Sequence, residues 1–133
     1  MRNNFFLDAE RFNDLDGFYI TIYSLMNLYD DWQPAHNLDA LNDMLYSGFG
    51  KGEVQLTWQH ANKSRKDLGL SATKVFYKNK IEQGPPFNVE WARQKVAALE
   101  EGIGQTLFDI IVEIIQEHKN IDLVLMEDDQ FLD

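Results

Sequence analysis

Apolar and polar positions change period several times along this chain, and each change marks an element. Residues 4–7 are a short apolar run followed by Asp8, Ala9 and Glu10, which suits a first strand and a turn. Leu15, Phe18, Tyr19, Ile22, Leu25 and Met26 then recur at helical spacing behind Asn13 as a cap, predicting a helix over 14–28. Its FYITIY stretch has the β-branched and aromatic content of a strand, but the unbroken 3.6-residue period decides for helix. A polar, aromatic loop held by Pro34 leads into NLDALNDML at 37–45. There Leu38, Leu41, Met44 and Leu45 fall on one side of a helix, and Asp39, Asn42, Asp43 and Tyr46 on the other. Gly48, Gly50 and Gly52 stop that helix and free the backbone for a turn. Val54, Leu56 and Trp58 alternate with Glu53, Gln55 and Thr57, the period of a strand with one apolar face.

A short polar helix is expected over 59–68, stopped by Gly69. Residues 71–87 fit helix or strand until Gly84, Pro85 and Pro86 force a break. Asn88 caps a helix reaching about 101, with Trp91, Val96 and Leu99 toward the protein. The helix over 105–118 is apolar around most of its circumference, so it should be buried on several sides. Its one charged stripe is Asp109, Glu113 and Glu117. Residues 121–126 read as an apolar strand of the kind found inside a parallel sheet. Strands separated by helices imply right-handed crossovers, hence an α/β fold with a small parallel sheet covered by helices. The tail from 127 is expected to be frayed, and neither a repeat nor a low-complexity tract is apparent.

Composition narrows the function. A chain of 133 residues, 44% hydrophobic, makes one sizeable core, so a single domain over 1–133 is expected. No apolar run reaches 18 residues, and the start MRNNFFLDAE lacks the features of a secretory signal, so a soluble, cytoplasmic protein without membrane attachment is expected. The absence of cysteine excludes disulfides, thiolate nucleophiles and thiolate metal sites. A net charge of −10 argues against direct nucleic-acid binding and for a basic partner. Lys63, Arg65, Lys66, Lys74, Lys78 and Lys80 cluster in the middle. They read as a solvated surface, with docking onto the chain's own acidic parts as the alternative.

The 37–45 helix carries the most informative chemistry. Asn37 suits the N-cap, and Asp39 then lies near the positive end of the helix dipole. Asp43 lies beyond the first turn and repels Asp39 at i,i+4, at roughly a few tenths of a kcal/mol. A cost without local benefit invites a functional reading, against the plainer one of a solvated helix face. An acid and base pair would need burial to shift a pKa, and this face reads as exposed. Hard-metal binding by the two aspartates lacks a third ligand in the motif, so a metal-dependent hydrolase stands only as a rival. His36, His60 and His118 lie on separate elements without ligand spacing and read as surface or loop histidines. GFGKGE has Gly52 after Lys51 where a phosphate loop needs Ser or Thr, and it precedes a strand. No catalytic residue, metal or cofactor is expected.

The run NLDALNDML, the strand ending in Trp58, and the closing IIVEIIQEHKNIDLVLM resemble, in that order, the barstar family of intracellular inhibitors of a secreted bacterial ribonuclease. The resemblance covers roughly residues 4–70 and 104–126. It implies a three-stranded parallel sheet flanked by helices, here with an inserted helical segment at about 71–103. It also implies an immunity-type inhibitor that binds a basic ribonuclease toxin as a 1:1 heterodimer and plugs its active site with carboxylates. Asn37, Asp39 and Asp43 match the motif directly, Asp43 taking the position whose carboxylate occupies the enzyme's phosphate site. Such a site holds Arg, Lys and His for phosphate, and rigid carboxylates satisfy the same donors. Trp32, in the loop before the helix, joins the implied contact set. Asn42 stands where the family has tryptophan, Ala35 replaces a loop glycine, and the aromatic after the helix survives as Tyr46 or Phe49. Glu113 or Glu117 supplies the acidic contact of the closing helix. These departures leave open an acidic interaction module of the same fold with another basic partner.

Overall fold

The three segments with strand character pair side by side. In the computed structural model, which describes residues 3–26 and 34–128, β1 (Asn3–Asp8), β2 (Val54–Gln59) and β3 (Ile121–Met126) form a parallel sheet in the order β1-β2-β3. The register sets Leu7 beside Trp58 and Trp58 beside Leu125. Parallel neighbours require crossover connections, and helices supply them. The first crossover contains α1 (Leu15–Leu25) and α2 (Leu38–Leu45). The second contains α3 (Ala61–Asp67), α4 (Leu70–Gln83), α5 (Val89–Glu100) and α6 (Leu107–Gln116).

The period-2 alternation of the strands aims Leu7, Val54, Leu56, Trp58 and Ile121 into one buried core, where they meet Phe18, Ile22, Leu41, Leu45, Phe108 and Ile111. Trp58 is fully buried, with Phe18 stacked 5.4 Å away and Phe108 at 5.0 Å, and its indole N–H donates to the Ser64 hydroxyl at 3.0 Å. That bond satisfies the one polar atom of the largest core residue, which would otherwise cost about 1–3 kcal/mol. The other sheet face leaves Phe6 and Met126 about half exposed.

Several expectations change here. β3 is an edge strand, with Asp122, Val124 and Met126 exposed, because strand order follows chain order and the last strand ends outermost. β2 takes the middle instead, and Thr57, expected on a solvated face, is buried between its register partners Phe6 and Val124. Asp14, not Asn13, caps α1, accepting from the Gly17 amide at 2.7 Å, while Asn13 accepts from Lys63 Nζ at 3.0 Å. The helix period over FYITIY holds, with Phe18, Tyr19, Ile22 and Tyr23 buried. The ambiguous segment after Gly69 is helix α4. Its buried Thr73 bonds back to the Gly69 carbonyl at 2.6 Å and accepts the first amide of α6, Leu107 N–H, at 2.8 Å. α4 and α5 form a hairpin with a small core of its own, built on Tyr77, Ala92 and Leu99. Glu127 and Asp128, expected within a frayed tail, are held by Arg65, Asn62 and His60. No helix among the described residues is long and apolar enough to cross a membrane.

Candidate functional site

The amphipathic pattern of 37–45 produces the helix it describes. Asn37 Oδ1 accepts from the Ala40 amide at 2.7 Å, closing the N-terminus of α2. Leu41 and Leu45 are fully buried, each contributing about 1.5–3 kcal/mol by leaving water. The opposite face presents Asp39 and Asp43 to solvent, and among the described residues neither carboxylate has a cation within ion-pair distance.

The approach to α2 is clamped against α1. Tyr23 donates its hydroxyl to the Ala35 carbonyl at 3.0 Å, and burial raises that phenol to about 12, so it donates as the neutral form. His36 stacks on Tyr19 at 5.4 Å and bonds to Asp16. The far end of α2 is tied to α6: His118 Nε2 lies 2.8 Å from Asn42 Oδ1, and the Tyr46 ring meets the imidazole edge-on at 4.5 Å. His118 is 5% exposed, which corrects its reading as a surface histidine. It falls seven residues after Ile111 and three after Ile115, in register with the buried stripe of α6 just past that helix's end, and that register was the available signal.

The expected contact residues therefore separate. Asn37, Asp39, Asn42, Asp43 and Tyr46 share α2 and its C-terminal end, with Tyr46 70% exposed. Glu113 and Glu117 are exposed on α6, which packs beside α2; Glu117 directly precedes the His118 that reaches Asn42, and Glu113 accepts from Gln105 Nε2 at 2.8 Å. Asp109, the first member of the same stripe, is used locally in a capping box with Thr106. Phe49 does not join the surface: it is 4% exposed and packs on Phe5 at 4.7 Å, because the turn after α2 folds its ring inward. Gly48 permits that turn, since a side chain there would collide with Met26 and the Met44 carbonyl. Trp32 lies outside the described residues.

A second group of titratable side chains was missed by treating the histidines singly. Ligand atoms of Asp8, Glu10 and His60 lie within 4.8 Å of one another at the carboxyl ends of β1 and β2. His60 bonds to Asp128 and stands 3.4 Å from Glu10. The Asp128 hydrogen bond and the surrounding carboxylates raise the His60 pKa, favouring the protonated imidazole beside these acids. The neighbouring basic segment divides similarly: Arg65 grips Glu127 through two bonds at 2.9 and 2.7 Å, and Lys63 pairs with Asp67. Docking onto the chain's own acids thus describes Arg65 and Lys63.

The Barstar (barnase inhibitor) family matches residues 2–77, from β1 through the first half of α4. No curated protein and no solved structure matches the chain. The match spans more than half of the molecule, and the chain belongs to this family.

Proposed function

We propose that this member of the barstar family is an immunity-type inhibitor that binds a basic ribonuclease toxin one to one and fills its active site with the carboxylates of α2. The observation that carries the reading is that, among the described residues, Asp39 and Asp43 have no cation within ion-pair distance, on a helix anchored at both ends. A ribonuclease binds the phosphates of RNA with fixed cationic donors. Two carboxylates on a rigid helix meet those donors with little loss of side-chain freedom, so most of the charge attraction survives as affinity. Asp43 takes the phosphate position, Asp39 a flanking cation, and Glu113 or Glu117 extends the negative surface along α6. The net charge of −10 accelerates encounter with a basic enzyme; the barnase–barstar pair is itself a standard example of such steering. The protein acts as an inhibitor inside the cell that makes it and performs no catalysis.

The test is RNA cleavage by a barnase-type ribonuclease with this protein and its Asp43→Ala variant titrated in. Stoichiometric inhibition that is lost in the variant supports the plug. An inert parent protein points instead to an acidic interaction module with a non-nuclease basic partner.

A further inference from the structure

Beside the N-terminal end of α2, the α4–α5 hairpin leaves a cleft of about 770 Å³. Asp39 lines one wall; Phe76, Lys80, Phe87, Trp91 and Lys95 line the other. Phe87 and Trp91 are 37% and 43% exposed and both belong to this lining, where they form an apolar wall. Both lysines lie over these rings, Lys80 Nζ at 4.7 Å from the centre of Phe76 and 4.2 Å from that of Phe87, and Lys95 Nζ at 5.5 Å from that of Trp91. Among the described residues neither ammonium has a carboxylate within ion-pair distance, in a chain with an excess of ten acids.

We propose that this cleft is a second contact for the ribonuclease, receiving a loop of the enzyme that carries an apolar side chain next to a carboxylate. The inference rests on the reading under Proposed function. Asp39 belongs both to the acidic face and to the cleft wall, so a partner seated over α2 meets the hairpin directly. The aromatic rings supply apolar area, and the lysines attract the carboxylate while the α2 aspartates attract the enzyme's cations. Two neighbouring surfaces of opposite sign admit one orientation of the partner and penalise nucleases without the matching acid. The hairpin is thereby a specificity element added beside the shared carboxylate plug.

The test uses the sign of the effect. For a basic partner, adding negative charge to the inhibitor strengthens long-range attraction. Calorimetric titration of a barnase-type ribonuclease is compared for the full-length protein, Lys80→Glu with Lys95→Glu, and Lys66→Glu on α3, outside the cleft lining. The cleft variant is expected to bind roughly tenfold more weakly or worse, and Lys66→Glu equally or more tightly. Both cleft substitutions are on solvent-reaching lysines, and thermal melting checks that the fold is kept. Cleft-variant binding that tightens, or equals that of Lys66→Glu, overturns the second contact. If the parent binds and Asp43→Ala does not, while the cleft variant binds normally, only this inference falls. A parent protein that fails to bind removes both.

Discussion

At the carboxyl ends of the strands, Asp8, Glu10, Glu127 and Asp128 each lie against a basic side chain of the same chain, Arg11, His60 or Arg65. On α2, Asp39 and Asp43 meet none among the described residues, although the same chain has lysines nearby in space at the α4–α5 hairpin. The two regions have similar acidic content and opposite electrostatic treatment. The acids at the strand ends are paired within the monomer, in partly exposed contacts that contribute little each. Those on α2 repel each other at i,i+4 and stay solvated, a small cost that a complement arriving from outside would offset. What sets Asp39 and Asp43 apart is their lack of an internal cation combined with their place on one face of a helix anchored at both ends.

The largest break in that comparison is Asp43→Ala. Removing a solvent-exposed surface carboxylate should leave the melting temperature nearly unchanged and weaken ribonuclease binding by about 2–5 kcal/mol, as charged hot spots do. Inhibition assays and calorimetry with one protein preparation measure both. Strong destabilisation with unaltered binding would show that Asp43 belongs with the structural acids.

His118→Ala is expected to act the other way. It removes a buried side chain that bonds Asn42 and supports Tyr46, so the fold should lose about 1–3 kcal/mol in urea unfolding. Affinity should fall less than in Asp43→Ala, because the carboxylates remain and only their support loosens. An unfolding midpoint equal to that of the parent would mean that the Asn42 bond does not hold α2 to α6.

Much of this arrangement was legible in the residues, and the exceptions share a cause. The acidic and apolar faces of α2, its Asn37 cap and the span of β3 follow from local periodicity and capping chemistry. Phe49 and the histidine cluster did not follow, because each depends on an element distant in sequence, and for His118 the local register signals burial but not its partner. Phe49 is drawn inward by Phe5, His118 by Asn42, and His60 by Asp128, 68 residues away. The edge position of β3 was hidden for a related reason, since an apolar run fits a central strand and says nothing of strand order.

Asn37→Ala sharpens the picture of α2 alone. Loss of the cap leaves the Ala40 amide without its bond and should cost about 1 kcal/mol, measured by denaturant unfolding. Asn37→Ser should restore most of it, since a serine oxygen reaches the same amide. A serine variant as weak as alanine would point to a contact of Asn37 beyond capping.

The smallest effect tests the internally neutralised acids. His60 is raised above its ordinary 6.5, first by the Asp128 hydrogen bond and then by the charges of Asp128, Glu10 and Asp8, against a desolvation that lowers it. A histidine raised in the folded state binds its proton more tightly folded than unfolded. The stabilisation is therefore complete below 6.5 and disappears as pH rises through the raised value. His60→Gln should accordingly fall further below the parent in unfolding midpoint at pH 6 than at pH 9, and an NMR titration of the imidazole should place its midpoint above 6.5. Solvent exposure of the pair keeps the difference slight. An equal deficit at both pH values would mean that His60 supports the strand ends through packing alone. The contrast with the aspartates of α2 would then rest on the Arg65–Glu127 and Arg11–Asp8 pairs.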